Sequence, residues 1–87
     1  MSGKERIAGL LAAAFKPVTL EVVDESDRHK GHAGWREGGE THFRVRIIAD
    51  AFAGVSRVEA HRRVNAALAS EFARGLHALA IEARAPV

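Results

Sequence analysis

Five histidines and no cysteine set the chemistry open to this 87-residue chain. Thiolate nucleophiles, disulfides and self-contained Cys-ligated zinc or iron-sulfur sites are excluded, so metal binding would fall to imidazole. His29 and His32 stand as His-x-x-His in a glycine-rich stretch. That spacing lets two rings approach one metal, and it is also the spacing of two solvated loop histidines that bind nothing. His77 follows Gly75 at the mouth of an alternating segment. Its ring reads either as a ligand projecting from the sheet edge beside that stretch, or as a core ring on the side of Leu79 and Ile81. His42 has the parity of Arg44 and Arg46, and His61 is in line with Val58 and Val64. Both read as structural: His42 as a surface or turn-bonding group, His61 as a partly buried ring holding a helix against a turn. There is no activated nucleophile, phosphate-binding loop or carboxylate pair with a geometric reason, so no enzyme is expected. Asp24, Glu25 and Asp27 read as the solvated start of a loop.

The elements that must position these residues follow from periodicity. Ser2-Gly-Lys-Glu5 is a capping box, and Ile7, Leu10, Leu11, Ala14 and Phe15 lie on one helical face that Pro17 ends. From Val18 the period becomes two, with Val18, Leu20 and Val22 on one face of a first strand. Residues 24–41 hold four glycines and Trp35 without apolar periodicity. They predict a long loop of the kind that is usually functional or disordered, with Trp35 a surface aromatic available to a partner. Residues 42–49 alternate as a second strand with Phe43, Val45 and Ile47 inward. Phe52-Ala-Gly54 turns the chain, and Ser56-Arg-Val-Glu59 offers a second capping box. Val58, His61, Val64, Leu68 and Phe72 then mark the buried stripe of a helix that Gly75 caps. A third strand runs from His77 to Arg84, and Pro86 closes the domain.

These elements predict one α+β domain over residues 1–87, helix-strand-strand-helix-strand, with both helices on one face of a three-stranded mixed sheet. The first two strands pair antiparallel; the third, reached through a helix, lies parallel to the second. A composition of 47 % hydrophobic and 28 % charged residues is that of a folded domain rather than a disordered one. The net charge of +2 is weak evidence for nucleic acid, because the high pI reflects ten arginines against three lysines more than a large excess of positive charge. The longest apolar run, residues 7–15, is far short of a membrane span, and no signal-peptide pattern opens the chain. A monomer in the cytoplasm, away from membranes, is the expectation.

Four ordered segments resemble the BolA family: Val23-Asp-Glu-Ser26 with His29 beyond it; Gly39-Glu-Thr-His-Phe43; Phe52-Ala-Gly54 with Ser56-Arg-Val and His61-Arg62; and Leu76-His-Ala-Leu-Ala80. Together they cover about residues 18–84. One position departs, since Ala60 stands where the family commonly has a basic residue. The resemblance implies a type II KH-like fold and a non-enzymatic protein that pairs with a monothiol glutaredoxin. It also implies a [2Fe-2S] cluster shared across that heterodimer, used in iron-sulfur trafficking or iron-linked regulation. In that picture His77 is one ligand and the loop supplies the second, His29 fitting slightly better than His32. The glutaredoxin cysteine and the thiol of a bound glutathione complete the set, so the chain holds no cofactor when alone. The rival reading is a KH-like, DNA-binding transcriptional regulator using Arg57, Arg62 and Arg63 on the second helix. Against it, a KH domain clamps the backbone with a Gly-x-x-Gly loop between its helices. The turn at 52–56 has no such motif, and Gly31-His-Ala-Gly34 lies between the first two strands, where it reads as chance.

Overall fold

Ser2 opens the first helix by satisfying backbone groups that the helix leaves unpaired. The Glu5 N–H donates to Ser2 Oγ at 3.2 Å, and the Ser2 N–H donates to Glu5 Oε1 at 3.2 Å. In the computed structural model, which describes residues 2–25 and 42–86, this helix is α1, Gly3–Phe15. Ile7 and Leu11, one turn apart, are fully buried on its inner face. Lys16 ends it in the left-handed conformation (φ 47°), its N–H donating to the Ala12 carbonyl, and Pro17 prevents continuation.

β1 (Thr19–Asp24) pairs antiparallel with β2 (His42–Ile48), and β2 pairs parallel with β3 (Ala78–Arg84), in the order β1-β2-β3. The expected topology and pairing senses are therefore found. Val22, Val45 and Ile81 form one row across the inner face, with Leu20, Ile47 and Ala83 in the next. α1 packs on β1 and the second helical segment on β3, closing one core around Ile7, Leu11, Val45, Ile47, Val64 and Leu68. On the opposite face Arg46 reaches both flanking strands, meeting Glu21 at 3.4 Å and Glu82 at 3.2 Å.

Two expectations about the helical and strand faces are corrected. Val18 precedes β1 and is 66 % exposed, so Leu20 and Val22 alone carry that strand's inner face. The second helix is two segments, α2 (Arg57–Ala67) and α3 (Ala69–Ala73), meeting at Leu68. Val58 and Phe72, expected in the core, are 59 % and 37 % exposed, while Ala60, Val64, Leu68 and Glu71 are buried. Apolar spacing fixes which residues share a face, but packing on β3 selects the face one step round, where the small Ala60 allows close approach. The break at Leu68 then turns Phe72 outward and brings Glu71 in, against Arg6 at 3.1 Å. α3 ends in a Schellman arrangement about Gly75 (φ 115°): Leu76 N–H donates to the Glu71 carbonyl and Gly75 N–H to that of Phe72. Of the second expected capping box only the Ser56 half forms: Ser56 Oγ accepts from the Glu59 N–H at 3.1 Å, while the Glu59 carboxylate turns to Arg63 at 3.2 Å instead of back to the Ser56 N–H.

Candidate histidine site

His77 is the last residue before β3 and lies in the segment released by the Gly75 cap, which aims it at one end of the sheet. Its side chain is exposed, so the core-ring reading is set aside. The parallel register places Ala78 beside His42, the first residue of β2, and the two rings stand 5.3 Å apart, tilted by 53°. His42 is only 5 % exposed. Its parity is that of Arg44 and Arg46, as expected, but it is a buried ring packed against His77 rather than a surface group.

The antiparallel pair extends one residue beyond β1 at this same end, with the Glu25 N–H donating to the His42 carbonyl at 2.8 Å. The expected long loop therefore leaves and rejoins the sheet beside the histidine pair. Arg44 Nε donates to Glu25 Oε2 at 3.0 Å, and the Glu25 side chain is only 10 % exposed. A shallow cavity of about 270 Å3 opens here, lined by Glu25, His42, Arg44, Ala78 and Ala80. His29, His32, Trp35 and the Gly31–Gly34 letters lie outside the described residues.

Among the described residues no group of three or more His, Cys, Asp or Glu side chains is placed to hold a metal ion. What the site offers is one exposed imidazole, His77, held beside a second, buried one. This fits the imidazole part of a shared cluster's donor set, and a chain without cysteine cannot provide the thiolate part. The adjacency of His42 and His77 was missed from sequence. A signal was nonetheless present, since both begin strands expected to run parallel and side by side.

The basic residues of α2 are separated by geometry. Arg63 and Arg62 both face Glu59, at 3.2 and 4.0 Å, so one carboxylate partly neutralises two cations. Arg57 has no ion pair among the described residues and lines a different cavity, with His61 and Arg84. His61 is half-buried on the flank of α2. The two helical segments meet at Leu68, with no glycine at the junction.

A small α+β domain with two histidines at the end of a three-stranded mixed sheet has close counterparts. Residues 11–87 match the BolA-like protein family. The chain is 52 % identical to an uncharacterized protein in the cobS 5' region of Sinorhizobium sp, over 99 % of this chain and 94 % of that protein. It is 46 % identical to the DNA-binding transcriptional regulator BolA of Escherichia coli K12, over 90 % of this chain and 70 % of that one. The solved structure of the BolA domain of SufE1 from Arabidopsis thaliana superposes with a TM-score of 0.88 at 44 % identity, covering 99 % of this chain and 94 % of that domain. This chain belongs to the BolA family. No helix of the described residues is long and apolar enough to cross a membrane.

Proposed function

We propose that this protein is a non-enzymatic partner of a monothiol glutaredoxin, with which it shares a [2Fe-2S] cluster through histidine ligands in iron-sulfur trafficking or iron-linked regulation. The observation that carries this reading is His77: an exposed imidazole, backed by a buried ring 5.3 Å away, in a chain that has no thiol. Cluster sites with two histidines on one iron are known chemistry. The remaining ligands would then come from the glutaredoxin cysteine and a bound glutathione. The second imidazole comes from His29 or His32.

The test is to mix the chain with a monothiol glutaredoxin, iron, sulfide and glutathione, and to record visible absorption, circular dichroism and complex mass. The expected result is a heterodimer whose cluster spectrum differs from that of the glutaredoxin alone. His77→Ala abolishes that difference and leaves much of the cluster-free association intact. An unchanged spectrum in the variant removes His77 from the site, and a cluster held by the purified chain alone removes the partner.

One observation favours a second reading, in which the protein binds DNA as a regulator: the E. coli relative carries that name. Arg57, Arg62 and Arg63 would be its contacts. Binding would then weaken steeply with salt, and further when Arg62 and Arg63 are both replaced by alanine.

A further inference from the structure

Among the described residues β3 is an edge strand, with no strand paired on its outer side. The Ala49 N–H donates to the Arg84 carbonyl at 3.0 Å, so Arg84, Glu82 and Ala80 direct their backbone groups toward β2. By alternation, Ile81 and Ala83 direct theirs away from the sheet, and these groups have no partner among the described residues. Beside this open edge lies a cavity of about 350 Å3 lined by Arg57, His61, Ile81, Glu82, Ala83 and Arg84. Arg57 and His61 are one turn apart on α2 and approach the edge from the helix side. Arg84 has the parity of Glu82 and approaches from the outer face. Neither arginine has an ion pair among the described residues, whereas Glu82 is engaged by Arg46 at 3.2 Å. Arg57 also occupies the first turn of α2, where the helix dipole already favours an anion and disfavours a cation.

We propose that the groove between α2 and the free edge of β3 receives an extended acidic segment of a partner protein as a fourth strand. The segment's main chain pairs with Ile81 and Ala83, and its carboxylates meet Arg57 on one face and Arg84 on the other. Strand addition of this kind draws affinity from main-chain hydrogen bonds and specificity from alternate side chains. The groove runs from the middle of β3 to the end away from His77, roughly 13 to 23 Å along the strand from it, so both surfaces can be occupied together. A second copy of this chain is a poorer occupant: it would bring the same uncompensated arginines together, and Pro86 and Arg84 guard the edge against self-pairing. A nucleic acid strand is also poorer, because no Phe, Tyr or Trp among the described residues lines the groove for base stacking and Glu82 sits within it.

The test is a titration of the 15N-labelled chain with a peptide of repeating Val-Glu-Glu-Val, whose glutamates fall on both faces of an extended strand, followed by amide shifts and hydrogen exchange. Binding should shift and protect the Ile81 and Ala83 amides. The double variant Arg57→Glu, Arg84→Glu should weaken binding by at least about tenfold. The same peptide N-methylated at every residue, which blocks both of its edges, should not bind, a control that leaves the protein untouched. Four results would each overturn the proposal: no protection at Ile81 and Ala83; equal affinity for the charge-reversed variant; preference for oligothymidylate over the acidic peptide; or concentration-dependent self-association that buries the edge.

Discussion

His42 and His77 are neighbours with opposite exposures, and that difference separates their roles. The His77 ring is open to a ligand. The His42 ring is 5 % exposed and packs beside it, so truncating it removes buried contacts and leaves a void. His42→Ala should therefore cost about 1–3 kcal/mol of folding stability, and His77→Ala no more than about 0.5 kcal/mol. Urea unfolding of the two variants measures this, and equal losses would contradict the division. Charge is likewise decided by neighbours. Arg57, Arg62 and Arg63 look alike in sequence, yet Glu59 faces two of them while Arg57 turns to the edge of β3.

At the scale of elements, the ends of α1 are written in local chemistry and both are found where periodicity placed them. The reciprocal Ser2–Glu5 cap holds the Glu5 carboxyl below its ordinary value of 4.5, chiefly through the Ser2 N–H and then through its hydroxyl. A carboxyl whose pKa is lowered by folding contributes stability above its unfolded value and loses it as pH falls through the lower folded one. Thermal unfolding between about pH 5 and pH 2 should accordingly show an acid-dependent loss that is smaller in Glu5→Gln. An identical acid limb in the variant would show that the cap contributes nothing to that dependence. The second helix was harder to read. Its apolar residues recur at helical spacing, yet the break at Leu68 and contact with β3 bury Ala60 and Glu71 in place of Val58 and Phe72.

Across the whole molecule, α1 is fastened to α3 by Arg6 and Glu71, which meet at 3.1 Å across 65 positions of sequence. Glu71 is 5 % exposed, so removing Arg6 leaves a buried carboxylate without its near guanidinium; Arg74 is farther, at 3.8 Å. Arg6→Ala should cost about 1–3 kcal/mol, and adding Glu71→Leu should recover part of that, because the charge left behind is then also gone. Denaturant midpoints of the single and double variants check this, and a double variant weaker than the single one would refute it. The order of elements, the two strand periods, the pairing senses, both helix caps and the lack of thiols were all legible in the sequence. They depend on local propensity, on short-range side-chain bonds, or on composition. The meeting of His42 with His77, the burial of Glu71 and the open edge of β3 beside Arg57 were decided only by tertiary structure. Periodicity tells which residues share a face, whereas the rotation of that face against the sheet, and the neighbours it brings from distant sequence, follow from how the whole core packs.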